Sequence, residues 1–307
     1  RRQRQMCIRD RRHIGKYMNS ALAYLVKRVL DIKGPSVLID GACSSGLLVI
    51  DEAIKRLHSN ELEMCIVTGV LGSVNVIGSV GFSKIGGLSS ERSRPLDRKA
   101  SGLNSSEGVG TIIIKKLDRA IQDGDTILGV ISGTGVSNDG KGKSIYAPNK
   151  YGQVKAMYRA VENANVLLED IDYIEVHATG TPTGDIEELE TLKLLYKDVN
   201  IKKQSIPIGS VKSQIGHSFS AAGMANLIKC LESMRHKCIP PTWGYENAPT
   251  EINLENTPFY VNTKMRNWRK NGRPRRAIIN AFGFGGINAS LVLEAVSYTH
   301  LRAHETR

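Results

Sequence analysis

Asp40-Gly41-Ala42-Cys43-Ser44-Ser45-Gly46 separates an apolar run, Pro35-Ser36-Val37-Leu38-Ile39, from a stretch with helical spacing. In that stretch Leu47, Ile50, Ile54 and Leu57 share one face, and Asp51, Glu52, Lys55 and Arg56 fall off it. The pattern predicts a strand over 36–40 followed by a helix over 44–58. A thiol at a strand-to-helix junction meets the helix's unpaired N–H groups and its positive dipole end, and both favour thiolate over thiol. Read by itself, the segment fits more readily a buried cysteine acting as a small apolar residue. Two histidine segments further along the chain reverse that reading.

Outward from Cys43, strand-like and helical runs alternate. Strands are predicted at 64–69, 111–116, 127–133, 171–176, 207–211, 277–281 and 289–294, and helices at 151–168, 185–196 and 221–235. A Gly/Ser-rich stretch over 69–103 is long enough to be a functional loop. The runs at 111–116 and 127–133, separated by Asp123-Gly124-Asp125, read as neighbouring strands. Such alternation argues for an α/β layered fold. A faint internal echo pairs the strand–loop–helix at Cys43 with another from Lys212 to Ala225, in agreement with a duplicated fold.

The two ends read differently. Residues 1–11 (RRQRQMCIRDR) and 296–306 (VSYTHLRAHET) back-translate into strings that resemble the two adapters of a transposase-type sequencing library. The segments 1–11 and 296–307 are therefore expected to be adapter-derived, with the native chain over 12–295 cut at both ends. Of the formal charge of +12, Arg1, Arg2, Arg4, Arg9 and Arg11 against Asp10 supply +4, and Arg302 and Arg307 against Glu305 supply +1. The remaining +7 is a moderate surplus, and no basic run interleaved with aromatics argues for nucleic acid. Cys43, Cys65, Cys230 and Cys238 match no zinc spacing and read as reduced thiols of a cytoplasmic protein. No stretch approaches the length of a membrane span.

Three later segments carry chemistry. His177 ends the run Ile171-Asp-Tyr-Ile-Glu-Val176 and opens His177-Ala-Thr-Gly-Thr-Pro-Thr-Gly-Asp185, whose small residues leave room for a ligand beside the imidazole. Lys212-Ser-Gln-Ile-Gly-His217 sets a second imidazole after a strand, with a lysine five residues before it. Ala281-Phe-Gly-Phe-Gly-Gly-Ile-Asn288 is a glycine-rich turn that permits close approach of a ligand. Each is a weak signal alone.

In this order and at these separations, the four segments resemble the β-ketoacyl synthases, the condensing enzymes of fatty acid and polyketide synthesis. The likeness runs over nearly all of 12–295 and includes Lys33-Gly-Pro-Ser36, Pro95-Leu-Asp97, Asp139-Gly140, Ala147-Pro-Asn149 and Asn256-Thr-Pro-Phe259. It implies a thiolase-like α/β fold, two βαβαβ halves packed as five αβαβα layers and usually dimeric. The N-terminal half is expected to be incomplete, with 12–140 its remainder and 141–295 the C-terminal half.

The same resemblance implies decarboxylative Claisen condensation of an acyl group on Cys43 with a malonyl-type carrier thioester. His177 and His217 would hydrogen-bond the malonyl thioester oxygen, and Lys212 would orient them and bias the local charge. The backbone amides of Cys43 and Phe284 would form an oxyanion hole. Thr179 and Thr181 match hydroxyls that contact a phosphopantetheine arm, and Phe282, Gly285 and Gly286 complete the substrate wall. An acyl carrier protein is the implied partner, a homodimer the implied assembly of the complete enzyme, and no metal or bound cofactor is needed.

The chain departs from the family pattern at Gly41, where Thr is common, at Leu103, where fatty acid enzymes often carry a Phe gate, and at Ser290, which replaces a frequent His. Asn226 falls where discrete fatty acid synthases tend to carry a Glu facing the lysine. With Lys33-Gly-Pro-Ser36 and Gly272-Arg-Pro-Arg-Arg276, it leans the reading towards a polyketide synthase ketosynthase domain. The alternatives are a discrete fatty acid synthase, a ketosynthase-like domain that passes chains along without elongating them, and a chain inert because it is truncated. A degradative thiolase is disfavoured, because no second active cysteine follows Gly286.

Overall fold

The computed structural model describes residues 20–74, 76–142, 144–269 and 272–296. The expected adapter segments lie outside the described residues, save Val296. The described residues as far as Asp40 belong to one unit and those from Gly41 onward to a second. The first holds helix α1 (Ser20–Leu30), with Lys27 and Arg28 in its last turn, where cations suit the dipole. The strand expected over 36–40 is not formed, and these residues lie in no β-ladder. An apolar run becomes a strand only where a neighbour pairs its N–H and C=O groups.

In the second unit a 3₁₀ turn at Ala42–Ser44 leads into α2 (Ser45–His58), with Leu47, Ile50 and Leu57 buried as the spacing predicts. Strand β1 (Met64–Leu71) follows, then helix α3 (Val76–Lys84) within the stretch read as a loop. Strand β2 (Gly108–Lys115) pairs antiparallel with β1 as a separate two-stranded sheet. Helix α4 (Leu117–Gln122) then separates β2 from β3 (Val130–Asn138), which belongs to another sheet. The runs at 111–116 and 127–133 are therefore not neighbours, because Asp123-Gly124-Asp125 ends a helix rather than turning a hairpin.

The chain continues through α5 (Lys150–Asn163), β4 (Tyr173–Glu175), α6 (Pro182–Leu195), β5 (Ile206–Gly209), the single turn α7 (Lys212–Ile215) and α8 (Ala222–His236). It ends through β6 (Cys238–Ile239), β7 (Phe259–Val261), β8 (Arg266–Asn267), β9 (Arg276–Gly283) and β10 (Ile287–Glu294). The main sheet has the order β3-β10-β9-β4-β5-β7, and β9, β4, β5 and β7 run parallel. β4 and β5 are buried along their whole length, as expected for parallel strands covered on both faces.

Two cores flank this sheet. One, around Met157, Ile174, Leu189, Leu192 and Ile208, lies under α5 and α6. The other, around Leu47, Ile50, Met224, Leu227 and Ile279, joins the sheet to α2, α8 and β1. The described residues thus stack as helix, sheet, helix and sheet, four of the five expected layers. The outer face of β1–β2 is apolar and open, with Val109 68% and Ile113 65% exposed.

The helices α2 and α8 each follow a 3₁₀ turn, at Ala42–Ser44 and at Phe219–Ala221, but the internal echo is only partial, because no strand forms before Cys43. They meet where Gly46 faces Gly223. A Cβ on Gly46 would lie 3.0 Å from the Met224 backbone N, and one on Gly223 would lie 2.9 Å from the Leu47 N. Only glycine lets the two backbones touch there.

Candidate active site

The parallel strands end on a common edge, the usual place for ligands in open α/β sheets. His177 lies two residues beyond β4, Lys212 three beyond β5, and Phe284 follows β9. β10, antiparallel to β9, brings Asn288 to the same edge, and Asp139 follows β3 there. The turn carrying Cys43 approaches β9 closely: a Cβ on Gly283 would sit 2.3 Å from the Gly41 carbonyl oxygen and 3.4 Å from the Cys43 N. That packing sets the amide after Gly283 beside the nucleophile candidate.

His217 Nε2 lies 3.1 Å from Cys43 Sγ. The His177 ring stands edge-on to the His217 ring, with centroids 5.5 Å apart at 85°. Main-chain bonds clamp His217, whose N–H donates to the Asn104 carbonyl at 2.7 Å and whose carbonyl accepts from Ser106 N–H at 2.9 Å. Phe219 leans on its ring at 4.7 Å, and Phe282 flanks His177 at 5.7 Å.

Both imidazoles are held well below the usual histidine range, first by burial and then by the positive charge of Lys212. They are neutral. Both Nδ1 atoms are buried without a hydrogen-bond partner. An unpaired buried lone pair is tolerated better than an unpaired N–H, so the proton belongs on Nε2. In His217 that N–H points at sulfur.

Beneath the imidazoles the support is polar and fully buried. Glu188 accepts the His177 N–H and the Ala178 N–H, each at 2.8 Å, and Asn280 Nδ2 at 3.1 Å. Asp185 accepts the N–H groups of Thr179, Gly180 and Leu96 at 3.0, 3.2 and 2.6 Å. Burial raises the Asp185 carboxyl to about 7, against the pull of those donors. Lys212 is 2% exposed, and its Nζ reaches Asn226 Oδ1 at 3.5 Å. Burial pushes its ammonium down, while Glu175, Glu188 and Cys43 push it back up.

A cavity of about 340 Å³ opens above this floor. Cys43, His177, His217, Thr179, Thr181, Phe282, Phe284 and Gly286 line it. Thr179 Oγ1 and Thr181 Oγ1 are 3.0 Å apart. Lys212 lies below the lining, and Gly285 donates its N–H to the Ile145 carbonyl at 3.0 Å instead of facing the cavity. Leu103, at the expected gate position, does line it. The sequence reading missed Phe82, Ile85 and Tyr146. Phe82 stacks on Phe284 at 5.4 Å, and Tyr146 meets Phe284 edge-on at 5.4 Å, so three aromatic rings form one wall. Their signal was weak, because Phe82 sits in the Gly/Ser-rich stretch.

Two family models match the chain, the N-terminal domain of beta-ketoacyl synthase over residues 2–120 and its C-terminal domain over residues 128–246. The chain belongs to the β-ketoacyl synthase family. This β-ketoacyl synthase is 38% identical over 267 residues to polyketide synthase PksL of Bacillus subtilis, covering 86% of the chain and 6% of that protein. It is 37% identical over 287 residues to polyketide synthase PksR of the same organism, covering 88% of the chain and 11% of that protein. It therefore spans a small part of the length of these relatives.

Among solved structures, the ketosynthase from module 6 of the bacillaene synthase of Bacillus subtilis matches with a TM-score of 0.87 at 35% identity, covering 92% of this chain and 54% of that one. The oxazolomycin ketosynthase domain OzmH KS7 of Streptomyces albus also scores 0.87, at 34% identity, covering 91% and 50%. The thiolase-like α/β fold of this β-ketoacyl synthase follows. Among its described residues no cluster suits a metal ion, and no helix is long and apolar enough to cross a membrane.

Proposed function

We propose that the chain carries the condensing site of a polyketide synthase and performs decarboxylative Claisen condensation in chain elongation. The observation that carries the reading is the 3.1 Å contact of His217 Nε2 with Cys43 Sγ, with a second neutral imidazole beside it. In the first half-reaction the Cys43 thiolate attacks an acyl thioester, the bond from carbonyl carbon to carrier sulfur breaks, and the carrier leaves as a thiolate. In the second, the malonyl-type thioester loses CO₂, and the electron pair of the broken C–C bond becomes an enolate. That carbanion attacks the acyl carbonyl on Cys43 and expels the thiolate.

Charge develops twice on oxygen. Nε2–H groups of His177 and His217 stabilise the enolate oxygen, and the amides of Cys43 and Phe284 hold the tetrahedral oxyanion. Neutral imidazoles suit this work, since they donate without drawing a second counter-ion into the site. Lys212, under both rings, favours negative charge above it. Thr179 and Thr181 receive the phosphopantetheine arm against Phe282 and Gly286, and an acyl carrier protein delivers it. On this reading the enzyme is cytoplasmic, needs no bound cofactor and works as a homodimer when complete.

The test is intact-protein mass spectrometry after exposure to an acyl N-acetylcysteamine thioester. One acyl adduct is expected on the parent protein and none on Cys43→Ala. An equal adduct on that variant overturns the reading.

A further inference from the structure

A second charged group lies under the site and plays no part in the chemistry above. Glu175, fully buried on β4, is 2.6 Å from Lys229 Nζ, itself 6% exposed at its side chain. Tyr173 OH donates to Glu175 Oε2 at 2.6 Å and accepts from Lys229 Nζ at 2.9 Å. The other carboxylate oxygen, Oε1, accepts the Val211 N–H at 2.7 Å. Glu175 therefore stands two residues before His177 and grips the residue before Lys212.

Lys212 needs a counter-charge, because a buried ammonium without one is strongly disfavoured. Asn226, its 3.5 Å neighbour, is neutral. Among the described residues no carboxylate lies within salt-bridge distance of Lys212. The charged and titratable groups that face it are Glu175 from β4, Glu188 from α6, Lys229 from α8, Cys43 from the turn before α2, and the imidazoles of His177 and His217. Glu188 spends both oxygens on the N–H groups of His177, Ala178 and Asn280. Glu175 is the carboxylate fixed directly to the Lys212 turn.

We propose that Glu175, clamped by Lys229 and Tyr173, is a positioning residue whose charge keeps Lys212 an ammonium and thereby holds Cys43 as thiolate. Lys229 tempers that charge, so the two members of the pair act on Lys212 with opposite sign. The inference rests on Cys43 as the reactive thiol, and its test separates the two ideas.

The test is the rate of Cys43 alkylation by iodoacetamide as a function of pH, resolved at the Cys43 peptide by mass spectrometry on the full chain. Glu175→Gln keeps the shape and removes the charge. It is expected to move the alkylation midpoint up about one pH unit, which slows alkylation about tenfold at pH values well below the parent midpoint. Lys229→Met is expected to leave the rate at or above that of the parent. Glu175→Gln with Lys229→Met removes the strain of an unpaired Lys229, and it is expected to keep most of that upward shift, because Glu175 acts on Lys212 more strongly than Lys229 does. An unmoved midpoint in Glu175→Gln overturns the proposal, as does a double variant that regains the parent profile, which would reduce the pair to packing. A protein that shows the expected shifts but takes no acyl group from a thioester keeps this proposal and removes the acyl-acceptor reading instead.

Discussion

Cys43 and His217 are 174 residues apart in sequence, and their Sγ and Nε2 atoms are 3.1 Å apart in space. Neither is held by its own segment alone. The Cys43 turn is pressed on the end of β9, and His217 is clamped by the Asn104 carbonyl and the Ser106 N–H. The contact is a product of the whole second unit, and it separates two chemical tasks that can be measured apart.

Loading and decarboxylation should part company in His217→Ala. Cys43 still faces the cavity, so the acyl adduct is expected to form. CO₂ release from a malonyl carrier thioester is expected to fall about 10²- to 10⁴-fold, the usual worth of a positioned hydrogen-bonding or proton-transferring group. Retained CO₂ release would remove His217 from the decarboxylating role.

Gly223→Ala inserts a methyl group between α2 and α8, where a Cβ would lie 2.9 Å from the Leu47 N. Overpacking of this kind costs about 1–3 kcal/mol. A lower urea midpoint with an unchanged slope is the expected result. An unshifted midpoint would show that the two helices yield at no cost.

Asp185→Asn exchanges an acceptor of three N–H groups for an amide whose NH₂ cannot accept. Leaving one buried N–H unmatched is expected to destabilise by about 1–3 kcal/mol, although the raised carboxyl makes the exchange neutral in charge near its own titration. Thermal unfolding at pH 6 measures it. A variant as stable as the parent would mean that the loop from Thr179 to Asp185 is held by other bonds.

Acid should weaken the fold through the two imidazoles. Their folded-state values are depressed, so the unfolded chain takes up protons first, and the stability present above about pH 6.5 is lost as pH falls. Asp185 opposes this, because its raised carboxyl favours the folded state as pH falls from about 7. Comparison with His217→Gln isolates one imidazole. The variant is expected to lose about 1 kcal/mol less than the parent between pH 6.5 and 5.5. Equal losses would place a charged, not a neutral, imidazole at position 217.

Much of the candidate site was legible because its groups sit where elements change. Cys43, His177, Lys212, His217 and Phe284 all follow a strand or precede a helix, and glycine, threonine and serine around them mark the junctions. The supporting charges were less visible. Glu175 lies inside the apolar run of β4 and reads there as an interruption, and its partner Lys229 is 54 residues away on α8. α3 was missed because glycine and serine dilute its pattern, and contacts of Phe82 with Phe219 and Phe284 are distant in sequence. The pairing of β1 with β2 was hidden for a similar reason, since Asp123-Gly124-Asp125 has the composition of a hairpin turn and the position of a helix end.

The backbone contact of Gly46 with Gly223 has one more consequence. With no side chain between them, α2 and α8 have no slack to take up, and the thiol and imidazole at their starts behave mechanically as one part. The wall made by Phe82, Tyr146 and Phe284 is tied to that part, because Phe82 also packs on Phe219 at 5.1 Å and Phe219 leans on the His217 ring. A substitution in the wall therefore reaches the thiol and the imidazole as well as the lining of the cavity.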